Sequence, residues 1–184
     1  MSALPGSVSA RSRPTAASQE KAMLAKLAIR DIAIIAGCIG LWALEGQLRG
    51  SGGVLHWLAI VVVAVATFLA NYLCHEWGHL LGARLAGGTC HPANKLKTFY
   101  LFHFDTRYCS VRQFLAMAAG GLVASTILLA FWLVALPLDT AAGIAAISLI
   151  VLGYLATLAT ELPVVWRIAH GAPLPKGALF EPMT

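Results

Sequence analysis

The chain has 184 residues, of which 59% are hydrophobic and only 11% charged, with a mean hydropathy of +0.77. A soluble domain is about 25% charged, so a water-driven globular core is excluded and lipid is the expected solvent. The net charge of +5 comes from Lys and Arg dispersed over several segments with no aromatic-interleaved patch, which speaks against nucleic acid as a partner.

Residues 1–20 are rich in Ser, Ala, Pro and Arg and read as a disordered polar tail without a cleavable signal peptide. An organelle transit peptide is the alternative for such an acid-poor start. A single membrane domain is expected over 21–171, followed by an irregular tail over 172–184 that holds Gly and Pro. Four apolar segments are long enough to cross a bilayer, which takes about 20 residues. They run from about Leu27 to Leu48, Val54 to Ala86, Gln113 to Leu136 and Ala141 to Leu162, the last closed by Pro163. The expected fold is therefore all-α, a polytopic membrane protein with about four transmembrane helices.

Lys and Arg near a membrane favour the cytoplasmic side. Arg11, Arg13, Lys21, Lys26 and Arg30 flank the first segment, and Arg84, Lys95, Lys97, Arg107 and Arg112 the middle loop. Arg167 and Lys176 follow the fourth segment, whereas the two remaining connections share only Arg49. Four spans with both termini and the middle loop cytoplasmic satisfy all of these, as for a multi-pass protein of the plasma (inner) membrane.

The second segment reads Asn71-Tyr-Leu-Cys-His75-Glu76-Trp77-Gly78-His79. Histidines at i and i+4 share one helix face and can bind one metal ion. The glutamate between them can serve as general base toward a water at the metal's open position. Ionisable groups at a helix centre cost about 2.5–3.5 kcal/mol each in lipid, so such a cluster is functional by default. Asn71, one turn before His75, is either a donor that orients a ligand or an ordinary interhelical hydrogen-bonding group. Gly78, Gly82 and Ala86 form a small-xxx-small series that allows close helix approach.

The run His75-Glu-Trp-Gly-His-Leu-Leu-Gly-Ala-Arg-Leu-Ala-Gly-Gly88 resembles the HExxH helix of the site-2 protease family of intramembrane zinc metalloproteases. Met117-Ala-Ala-Gly120-Gly121-Leu-Val-Ala resembles that family's Ala-Gly-Pro-Leu-Ala-Asn signature, with Gly121 in place of Pro and Ala124 in place of Asn. The resemblance spans about residues 54–171. It implies Zn²⁺ held by His75, His79 and a third residue, with Glu76 as the catalytic base. The family's third ligand is the aspartate of a Leu-Asp-Gly motif, and no aspartate follows Asp139 here. Two residues can take its place. His170, in Ile168-Ala169-His170-Gly171, stands where motif order puts the aspartate. Glu161 is favoured by depth: it and His75 each lie about 20 residues into their helices, whereas His170 is about 13 Å further along. A helix-end carboxylate paired with Arg167 or Arg112 is the competing role for Glu161.

The middle loop offers Cys90, His91, His103 and Cys109, at spacings that match no standard zinc motif. With Phe99, Tyr100, Phe102, Phe104 and Tyr108 it reads as an aromatic re-entrant or membrane-surface segment near the site. The expected function is an intramembrane zinc-dependent endopeptidase whose substrate is a membrane protein or peptide within the lipid bilayer. The alternative is a catalytically inactive metal-binding membrane protein acting as a binding partner or assembly factor. Without PDZ-like or nucleotide-binding extensions, the chain reads as a minimal core.

Overall fold

The computed structural model describes residues 15–98 and 100–176. Four helices, α1 (Ala16–Leu48), α2 (Val54–Leu85), α3 (Val111–Ala135) and α4 (Ala141–Ala169), are each long and apolar enough to span a membrane. Two short strands, β1 (Cys90–Pro92) and β2 (Phe102–Phe104), form an antiparallel hairpin between α2 and α3. The expected all-α polytopic architecture is thus present, with one addition inside the middle loop.

Local signals explain the helix boundaries. α1 starts at Ala16, inside the segment read as a disordered tail, because Thr15 accepts from the Ser18 N–H as N-cap. Residues 1–14 of that tail, Phe99 and residues 177–184 lie outside the described residues. α3 opens with a capping box in which Ser110 and Gln113 satisfy each other's backbone N–H groups. Gln113 also donates to the Gly87 carbonyl at 2.9 Å, tying the start of α3 to the end of α2. α2 closes on Gly87 at φ 71°, where the Gly88 N–H meets the Ala83 carbonyl at 2.8 Å.

The fourth helix corrects the expected boundary at Pro163. It continues through that proline to Ala169, because a proline deletes one i→i−4 bond while its neighbours keep theirs. The real stop is Gly171, at φ 94°, with the Ala172 N–H on the Arg167 carbonyl at 3.0 Å. The Ala169-His170-Gly171 run is therefore a helix C-cap.

α2 is the central helix: 39% of its most apolar stretch is buried within the protein, against 17%, 28% and 22% for α1, α3 and α4. It meets α3 through glycines. A Cβ on Gly78 would lie 2.6 Å from the Gly120 carbonyl oxygen, and one on Gly82 would collide with the Ala116 carbonyl. Without a hydrophobic drive between helices in lipid, such backbone contact supplies the packing energy. On the far faces, Leu55, Trp57, Val134, Leu152 and Trp166 are exposed, as surfaces solvated by acyl chains should be.

Polar clasps join α1 to this core. The buried Asp31 accepts from the Trp77 indole at 2.9 Å and from Arg30 at 2.7 Å. Arg30 also donates to the Leu96 carbonyl at 2.5 Å, so one cluster fastens α1, α2 and the hairpin loop. Toward the opposite end, the buried Glu45 accepts from Arg49 at 2.9 Å and lies 3.4 Å from His56.

The hairpin packs onto the helix ends through its apolar side chains. Leu101, Phe102 and Phe104 are buried against Leu80, Phe114, Met117 and Ile168, under the ends of three helices. Buried Asp105 receives two bonds from the Arg107 guanidinium, which hold its carboxyl below the ordinary value of 3.8. Reporter or cysteine-accessibility scanning should find Gly52 and Asp139 on one side of the membrane and Lys95 and Lys176 on the other. Lys95 and Asp139 on the same side would be incompatible with four spans.

Candidate metal centre

His75 and His79 face inward from α2 one turn apart, with their Nε2 atoms 2.9 Å from each other. Glu161 reaches them from α4, its Oε1 lying 3.3 Å from His75 Nε2 and 3.5 Å from His79 Nε2. The depth argument holds: at about 1.5 Å per residue, His75 is about 32 Å along α2 and Glu161 about 30 Å along the co-directional α4. Arg167 and Arg112 make no ion pair with Glu161 among the described residues. His170 is the exposed C-cap residue of α4, its Nδ1 2.8 Å from the Trp166 carbonyl, and does not join the cluster. Motif order favoured it because a capping His-Gly follows Pro163 in the order in which an Asp-Gly pair would, a likeness of order alone.

What orients the imidazoles was not apparent in the sequence. His79 Nδ1 is 2.9 Å from the Met117 carbonyl, and His75 Nδ1 is 3.1 Å from the Gly121 carbonyl and 2.8 Å from Ser125 Oγ. A carbonyl only accepts, so each neutral ring carries its proton on Nδ1 and turns an Nε2 lone pair inward. Two lone pairs and a carboxylate oxygen then converge with no hydrogen of their own between them. Such an arrangement calls for a cation. The three separations of 2.9, 3.3 and 3.5 Å bracket the edge of about 3.3 Å expected for a tetrahedron with bonds of about 2.0 Å. The donor set fits a metal ion, and it is the metal-capable group found among the described residues.

Asn71 makes no hydrogen bond to either histidine among the described residues: its Oδ1 is buried without a partner, and the residue lines a cavity of about 40 Å³ with His75 and Ser125. The contacts that orient the rings come from Ser125 and two backbone carbonyls of α3. A lone serine one turn after Gly121 in an apolar helix was the available signal. Asp31, on α1, grips the tryptophan inside the HExxH motif, a contact that no local pattern announces.

No protein-family model, curated protein or solved structure matches this chain. Its chemistry is therefore argued from the centre itself.

Glu76 stands apart from the three ligands on the wall of a cavity of about 350 Å³. Its Oε2 accepts from the Leu101 N–H of the hairpin at 3.4 Å. Tyr72, His79, Phe102, Phe114, Met117 and Glu161 are among the residues that share this space, so an acid–base group, two ligands and an apolar wall open onto one volume. The loop's own metal-capable residues form no second metal-capable group among the described residues, and the buried His103 Nδ1 has no hydrogen-bond partner. His91 lies 3.1 Å from Glu20, Cys109 Sγ accepts from the Thr89 N–H at 3.1 Å, and burial pushes the Cys90 thiol up to about 11. All four cysteines are free.

Two outcomes check the centre. Metal analysis of purified protein should give one bound ion per chain, lost in His75→Ala and His79→Ala, weakened in Glu161→Ala and kept in His170→Ala. Retention by Glu161→Ala with loss in His170→Ala would refute the assignment. Gly121→Ala should also weaken binding by about 10- to 100-fold, because a Cβ there collides with the His79 ring, while circular dichroism keeps its helical signal.

Proposed function

We propose that the protein is an intramembrane zinc-dependent endopeptidase that cleaves membrane-embedded polypeptides. The carrying observation is the separation of roles at one depth: His75, His79 and Glu161 converge as a three-donor set, while Glu76 opens onto the adjoining cavity. Two imidazoles and one carboxylate are a usual catalytic zinc set, which keeps one coordination position for water. The likeness of the His75–Gly88 segment to the site-2 protease family supports the same reading, and Glu161 supplies the carboxylate whose absence from a Leu-Asp-Gly motif favoured an inactive relative.

Zinc, when bound, supplies a Lewis acid that acidifies water and polarises the scissile carbonyl. The protein's own groups do the rest. Met117, Gly121 and Ser125 hold the imidazoles in the ligating tautomer. Glu76 accepts the proton of the attacking water and returns it to the departing amine, the two transfers expected of one carboxylate in this position. The substrate must unwind locally, because a transmembrane helix otherwise hides its peptide bonds in its own hydrogen-bond ladder. The aromatic and apolar lining from Phe102, Phe104, Phe114 and Met117 suits a large apolar side chain beside the cut. The distribution of Lys and Arg favours a plasma (inner) membrane protein with both termini and the hairpin cytoplasmic.

Glu76→Gln separates this proposal from that of a metal-binding partner or assembly factor. The variant should keep its metal and lose about 10²- to 10⁴-fold in kcat against a Leu/Ala-rich transmembrane peptide with a central Gly-Pro break. Equal cleavage by wild type and variant would reject the enzyme reading.

A further inference from the structure

As peptide hydrolysis reaches its tetrahedral intermediate, negative charge collects on the former carbonyl oxygen. A site in a low-dielectric surround gains most from a pre-positioned hydrogen-bond donor at that point. None of the four assigned residues is free to supply one. Glu76 and Glu161 accept as carboxylates, and the N–H groups of His75 and His79 are engaged by α3 at 3.1 and 2.9 Å.

Three hydroxyls line the cavity, those of Tyr72, Tyr100 and Thr160. The Thr160 hydroxyl turns back on its own helix, donating to the Ala156 carbonyl at 2.9 Å. Tyr100 belongs to the hairpin loop, where its ring packs edge-on against His103 at 4.7 Å. Tyr72 differs from both. It sits on α2 one turn before Glu76, on the same helix face. Its phenol hydrogen-bonds the Glu76 carboxylate, with Glu161 also close enough to interact. Its ring centroid is 6.4 Å from that of His75. A phenylalanine would fill an apolar helix position without burying a hydroxyl that needs a partner.

We propose that Tyr72 is a further catalytic residue, whose phenol hydrogen-bonds the oxyanion of the tetrahedral intermediate; this rests on the protease reading above. Before substrate enters, the O–H donates to Glu76. Water attack forms the new C–O bond, moves the carbonyl π pair onto oxygen and passes the water proton to Glu76. Glu76 is then neutral and a poorer acceptor, while the new oxyanion is a better one. The phenol turns from one to the other and keeps its proton. Collapse breaks the C–N bond, the electron pair leaves with nitrogen, and Glu76 protonates the amine. One proton cycles through Glu76 and none is lost from Tyr72.

The experiment compares wild type, Tyr72→Phe and Glu76→Gln in detergent, using the transmembrane peptide above and a phosphinic peptide that mimics the tetrahedral centre. Tyr72→Phe should keep its metal content and KM and lose about 10²- to 10³-fold in kcat, with a matching loss of affinity for the phosphinic peptide. Wild-type kcat in Tyr72→Phe would overturn the proposal. So would a fall in kcat with unchanged phosphinic-peptide affinity, since the tyrosine would then only position Glu76. Either result leaves the protease reading intact if Glu76→Gln is inactive. A wild-type protein that neither cleaves the peptide nor binds the phosphinic probe rejects both.

Discussion

The centre depends on the close approach of α2 and α3. Gly78 and Gly82 on one helix face Gly120 and the Ala116 carbonyl on the other, with no room for a Cβ between them. That contact has a chemical consequence. It brings backbone carbonyls of α3, normally turned along their own helix, within 3.1 and 2.9 Å of the two imidazoles. A larger residue at the seam would move the helices apart and, with them, the acceptors that set both histidine tautomers. Packing and metal-ligand chemistry are here one constraint.

Lipid sets the second condition. Two imidazoles and a carboxylate deep in apolar helices would each be costly alone, and clustering lets them compensate one another. The same logic explains Asp31, which is buried on α1 but held by Arg30 and the Trp77 indole. Because Trp77 lies between the two ligating histidines in sequence, this clasp anchors the motif on its outer side while α3 anchors it on the inner. The hairpin completes the enclosure: Phe102 and Phe104 line the cavity, and the Leu101 amide touches Glu76.

Much of this was legible in the chain. Four apolar runs separated by Gly-, Pro- and Lys/Arg-bearing breaks dictate four spans, because length and hydropathy are local properties. The i, i+4 spacing puts His75 and His79 on one face, and equal depth along two co-directional helices was enough to prefer Glu161 over His170. Local signals also misled. Pro163 read as a helix end, yet α4 continues past it to Ala169 and stops only before Gly171. The aromatic middle loop showed no clean alternation, since β2 is buried on both faces and its residues all read as apolar or aromatic.

The sequence alone thus specified the lipid solvent, the number of spans, the candidate ligand pair His75 and His79, and the glutamate between them. It did so because each follows from composition or from the period of one helix. Helix packing alone brings Glu161 to the pair, sets Ser125 and two α3 carbonyls against the two rings, and brings the Leu101 amide onto Glu76 beside Tyr72. Apart from Tyr72, which lies only one helical turn from Glu76, those relations join residues 25 to 86 positions apart in the chain. They exist only after glycine-to-backbone packing has set how deep and at what angle one helix lies against the next.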